Sequence, residues 1–172
     1  MASLMENLIS VLEEEGKAYE ELLELSMKKT PIIIDGDLEN LQKITDDEQI
    51  IVAKINRLDA KREEVTKDIA NVLNKDVTKL KLADIIHLLS QRPVEQKLLA
   101  AAHDKLKEVV GQMTRINEQN RDLIQRSLEM VEFDLNLIQS MKSAPQTANY
   151  TKGAYSSGAF MGRNSGGFDA KQ

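Results

Sequence analysis

The sequence predicts an all-α fold: an elongated antiparallel bundle of three long helices plus one short helix, followed by a disordered C-terminal tail. Three observations predict it. Apolar residues recur at steps of three and four over most of the chain, the period of a helix face. Glycine and proline, at 8 and 3 of 172 residues, cluster at a few points and leave long stretches uninterrupted. Aromatic content is 3 % with no Trp, which speaks against an all-β fold.

The first helix is expected from about Ser3. Leu4, Leu8, Val11, Leu12, Tyr19, Leu22, Leu23 and Leu25 form its apolar stripe. Ser3 and Glu6 have the spacing of a capping box. Pro31 removes a backbone donor and crowds the preceding turn, so the helix is expected to kink or end at Thr30-Pro31, with Ile32, Ile33 and Ile34 as a short apolar last turn. Asp35-Gly36-Asp37 is a turn signal, and Asp37 is a good N-cap for the next helix. That second helix should run to about Leu73, along Leu41, Ile44, Glu48, Ile51, Ile55, Leu58, Arg62, Val65, Ile69 and Val72, a heptad-like spacing. Asn74-Lys75-Asp76 ends it. A short third helix covers about Leu82 to Ser90. Pro93 suits the first turn of a fourth, where its missing donor costs nothing. The fourth helix meets no stop signal before Ser143-Ala144-Pro145. Residues 93–141 would span about 70 Å, and so need partners along their length.

Residues 143–172 change character. Gly153, Gly158, Gly162, Gly166 and Gly167 fall here among serines, so the expected division is a helical bundle domain at 1–142 and a flexible Gly/Ser-rich tail at 143–172. Tyr150, Tyr155, Phe160 and Phe168 lie in the tail, whereas the helical part holds only Tyr19 and Phe133. Aromatics in such a segment suggest a short docking element that orders on binding.

Charge and composition narrow the function. The net charge is -5, and a nucleic-acid binder would show a basic face. There are no cysteines, which excludes disulfide scaffolds and thiol chemistry. No apolar run reaches membrane-spanning length, no N-terminal stretch reads as a signal peptide, and the expected location is cytoplasmic. His87 and His103 are the two histidines. Glu13-Glu14-Glu15 and Asp46-Asp47 are adjacent in sequence, so their carboxylates point in different directions and make a poor metal site. No catalytic group, metal site or cofactor is expected, and the protein reads as non-enzymatic.

The informative feature is the second half of the fourth helix. Beside the seam of Leu123, Met130, Leu137 and Met141 runs a second row, Ile124, Leu128, Val131, Leu135 and Ile138. One buried stripe explains one row, and two rows need a second partner. Pairing with the shorter second helix would leave roughly the last dozen residues overhanging. The first helix, a second subunit in a homo-oligomer, or a partner helix laid in a groove would each cover them. Polar residues at Glu15, Glu48, Arg62, Asn120, Ser127 and Asp134 interrupt the seams and suit register control.

Gly36-Asp37-Leu38-Glu39-Asn40-Leu41, followed by Ile44, Glu48-Gln49, Ile55, Leu58 and Arg62, forms a line that resembles the second helix of the flagellar export chaperones of the FlgN type. The long last helix and the Gly-rich tail ending in Phe168-Asp169-Ala170-Lys171 are also similar to the Gram-positive members. The resemblance covers nearly the whole chain. It implies a cytoplasmic, non-enzymatic chaperone without a cofactor. Such a chaperone binds the C-terminal helical segments of hook-associated (hook–filament junction) proteins, keeps them from assembling prematurely, and delivers them to the flagellar type III export gate. The family's client-binding region falls on Leu123 to Met141, which gives Leu123, Ile124, Leu128, Val131, Leu135 and Ile138 as client-binding residues. A tail tyrosine of some members contacts the export gate, and Tyr150 and Tyr155 are the nearest matches. Two other readings stay open: a structural coiled-coil oligomer, or a regulator that sequesters a partner in the same groove.

Overall fold

The computed structural model describes residues 2–143. Four α-helices make up the fold: α1 Ala2–Asp35, α2 Leu38–Val72, α3 Leu82–Leu88 and α4 Pro93–Ser143, with 3-10 turns at Val77–Lys79 and Leu89–Gln91. There is no strand among the described residues. The chain divides into two units, one up to Leu135 and one from Asn136. The packing described below lies in the first.

The helix ends follow from local chemistry. α1 closes on a Schellman motif, with Gly36 at φ +67°. The Asp37 N–H donates to Ile32 O and the Gly36 N–H to Ile33 O, both at 3.2 Å. Asp37 then caps α2, its carboxylate accepting from the Asn40 N–H at 3.1 Å. α2 ends on a second motif of this kind, with Asn74 at φ +53° and the Lys75 N–H donating to Ala70 O at 2.9 Å. α3 starts where Asp84 accepts from the Lys81 N–H at 2.9 Å. It tightens into the Leu89–Gln91 turn and stops at Arg92, whose backbone is held out of the α region by the following Pro93.

One local expectation is narrowed and another corrected. α1 does not end at Pro31 but continues to Asp35. Pro31 is exposed, and so is Met27, whose carbonyl loses its donor to the ring, so water can satisfy that group. Ile33, buried two residues on, ties the last turn to the bundle. Ser3 does not cap α1, because the helix already begins at Ala2 and Ser3 lies within its first turn. Met5, 2 % exposed, packs that turn against the core.

The directions of the long helices follow from the residues that meet. Glu15 meets Arg62, Glu21 meets Lys54, and Lys29 meets Glu48, so α1 and α2 are antiparallel. Glu20 meets Lys105, Ser26 meets Met113 and Asn117, and Thr30 meets Asn120, so α4 runs parallel to α1. The chain therefore goes up, down and up, with α3 turning the corner.

Apolar and polar layers alternate along the bundle. The first layer gathers Leu8, Leu12, Ile69, Ile85 and Leu99 beside the α3 corner. A second, smaller one holds Ala18, Leu22, Ile55, Leu58 and Met113. Between them lies an ionic layer. Arg62 Nε donates to Glu15 Oε1 at 3.1 Å and its Nη2 to Asp59, and Glu15 is 3 % exposed. Beyond the second apolar layer, Ser26, Thr30, Glu48, Asn117 and Asn120 form a polar network. Asn120 Nδ2 donates to Ser26 O at 2.8 Å, Thr30 Oγ1 to Asn120 Oδ1 at 2.7 Å, and Ser26 Oγ to Glu48 Oε1 at 3.2 Å. Sliding either helix pair by a turn would strand these groups without partners, so the polar seam residues favour one register.

The ionic layer carries a pH signature. Burial pushes the Glu15 carboxyl above the usual carboxylate range, and Arg62 opposes that rise. The folded-state pKa is raised, so the folded protein holds this proton more tightly than the unfolded chain, and stability from this site falls as pH rises through the folded pKa. Replacing Arg62 by Leu removes the opposing charge and leaves a buried carboxylate. The expected cost near neutral pH is about 1–3 kcal/mol, less than for a fully buried pair because Arg62 is partly solvated. The deficit should shrink on acidification as Glu15 takes its proton. Thermal melts at neutral and at mildly acidic pH check this, and an equal deficit at both would contradict it.

Candidate partner-binding surface

α4 is held in the bundle by Leu99, Ala102, Val109, Met113 and Asn120, all buried. Leu123 and Ile124 are half-buried and mark the margin. Ile124 borders a shallow hollow with Lys29, Asn120 and Arg121. From Gln125 to Ser143 every residue of α4 is exposed. The reason is length. Thr30 already meets Asn120, so α1 reaches its last residue, Asp35, about five positions further on, and there the chain turns back into α2. Nothing in α1 is left to cover the rest. Of the coverings the sequence suggests, the first helix is thereby removed.

The predicted residues thus divide into two groups. Leu123 and Ile124 are shared with the bundle. Leu128, Val131 and Leu135 are exposed at 55, 54 and 53 %, although each would lose its contact with water in a packed helix pair. Ile138, in the second unit, is exposed at 48 %. Met130, Phe133, Leu137 and Met141 of the other row are exposed as well. Tyr150 and Tyr155 lie outside the described residues.

The face has few directional groups to offer. Ser127 Oγ donates to Leu123 O at 2.9 Å, so its hydroxyl is turned back onto the helix that carries it. What remains is an apolar stripe about three turns long between Ile124 and Leu135, the kind of surface an amphipathic helix covers. Methionine at Met130 adds an adaptable contact.

The groups considered for chemistry do not converge. His103 Nδ1 lies 3.1 Å from Asp104 Oδ1, its neighbour in sequence, and His87 is exposed on α3. Among the described residues no three His, Cys, Asp or Glu are grouped to hold a metal ion. No described helix is long and apolar enough to cross a membrane. Ser26, Thr30 and Asn117 are polar network residues that the seam pattern does not reveal. Serine and threonine are ordinary helix-surface residues in sequence, and their partner Asn120 is remote along the chain.

No curated protein and no solved structure matches the chain. A sequence model of the FlgN protein family matches residues 1–157. That match takes in all four helices, and the chain belongs to the FlgN family, which consists of flagellar export chaperones rather than enzymes.

Proposed function

We propose that this protein is a cytoplasmic chaperone that binds the C-terminal helical segments of hook-associated proteins on the second half of α4. It thereby keeps those proteins from assembling prematurely and delivers them to the flagellar type III export gate. The observation that carries the reading is the exposed row Leu128, Val131 and Leu135, which continues a helix whose first half is buried in the bundle. A junction-protein terminus is an amphipathic helix that would otherwise assemble with its own kind. Laid on this row, with Leu123, Ile124 and Ile138 at its ends, it is shielded until export. Release at the gate suits an interaction that rests on apolar burial without a fixed polar network. Tyr150 and Tyr155 serve as the gate-docking residues of the tail in this reading.

The test is a pull-down from a flagellated cell lysate with two baits, the full chain and the 1–142 fragment. Both should retain hook-associated proteins. The fragment should fail to support their export, because it lacks Tyr150 and Tyr155. Loss of client from the fragment would move the binding site into the tail, and normal motility with the fragment would remove the docking role of the tyrosines.

A further inference from the structure

Along its middle, from Leu128 to Leu135, the apolar row on α4 is bordered by carboxylates. From Ser127 to Met141, between Arg126 and Lys142, the ionisable side chains are Glu129, Glu132 and Asp134. All are exposed, and none forms an ion pair among the described residues. Their spacing places them beside the row. Glu132 follows Leu128 by four positions and precedes Leu135 by three, and Asp134 follows Val131 by three. One carboxylate therefore borders the row on each side. Earlier on the same helix both signs are mixed, as at Arg115, Glu118, Arg121 and Asp122.

This pattern discriminates between occupants. In a parallel pair of two copies each carboxylate faces its own counterpart. In an antiparallel pair centred between Val131 and Glu132, the middle of the Leu128–Leu135 stretch, Glu129 comes opposite Asp134. Either way like charges meet, which opposes self-pairing. We propose that the face is built for a helix of the opposite charge, an amphipathic segment whose apolar stripe is flanked by Lys or Arg. The inference rests on the chaperone reading and specifies the chemistry of the client helix. Charges at the edge of such a contact act on encounter rate and orientation, and salt screens them.

The experiment compares the full chain with Glu132→Lys/Asp134→Lys, after circular dichroism has shown equal helicity. Three probes are titrated: the C-terminal helical segment of a hook-associated protein, and two synthetic helices with one apolar stripe flanked by Lys in one and Glu in the other. The native chain should prefer the Lys-flanked helix by about tenfold at low ionic strength, the double variant should reverse the preference, and about 1 M salt should remove most of it. Equal affinity for both synthetic helices, or tight self-association through this face in light scattering, overturns the proposal. Binding of the hook-associated segment in that case leaves the chaperone reading standing. If the synthetic helices behave as expected and the hook-associated segment does not bind, the charge inference holds and the assignment of the client falls.

Discussion

Replacing Leu128 and Leu135 together by Asp abolishes client capture while the protein stays folded. Both side chains are more than half exposed in the free chain, so their loss removes little from the bundle. Surface substitutions of this kind change stability by about 0.5 kcal/mol or less. In the complex the same side chains would be fully covered, and each contributes about 1.5–3 kcal/mol when buried. Losing both, and placing carboxylates where they must be desolvated, weakens binding by at least about a hundredfold. Serine at both positions separates the lost apolar contact from the added charge and should retain most of the defect. Calorimetric titration with a hook-associated C-terminal segment reads the affinity, and circular dichroism reads the fold. A collapse of helicity in these variants would assign the residues to a structural role and count against the proposed surface.

The converse substitution is Leu99→Ala. Leu99 is fully buried among Leu8, Leu12, Ile69 and Ile85, in the layer that fastens α4 to the α1–α2 pair. Truncating it leaves a cavity that rigid helices fill only in part, at a cost of about 2–5 kcal/mol. The melting temperature should fall by about 5–15 °C. Client affinity, measured well below the transition, should be nearly unchanged, because Leu99 and the exposed row are far apart along α4. The two substitutions act on one helix and move opposite observables. An equal effect of both on stability would erase the distinction between the buried and exposed halves of α4.

Most of the fold was legible because the signals that shape it are local. Asp37 as a cap, Gly36 and Asn74 as helix stops, and Pro93 as a helix start each act within a few residues, and the structure uses all four. Pro31 misleads for the same reason. Its local cost is real, but an exposed last turn anchored by Ile33 absorbs it. Val72 continues the heptad spacing of α2, yet it is exposed, while Ala70 and Leu73 turn toward the core as the helix runs into its stop at Asn74. The register network of Ser26, Thr30 and Asn120 has no sequence signature, since it depends on which helices meet and at what offset. The second apolar row on α4 was visible as one stripe too many. Its exposure is a fact of the fold, set by where α1 turns back into α2 rather than by the spacing of the row itself.

The connections of the bundle also order its assembly in time. α1 and α2 are joined by Gly36 and Asp37 alone, and their polar contacts close shorter spans of chain, from 19 positions at Lys29–Glu48 to 47 at Glu15–Arg62. The polar contacts of α1 with α4 join residues 85 to 94 positions apart, from Glu20 and Lys105 to Ser26 and Asn120. Local contacts form early and remote ones late, because closing a long loop costs entropy before any contact rewards it. During synthesis the α1–α2 hairpin can therefore form while α4 is still inside the ribosome. The helix that carries the proposed client surface is the last to be fastened, so on this reading the chaperone becomes competent only once synthesis has passed the α3 corner and α4 has docked.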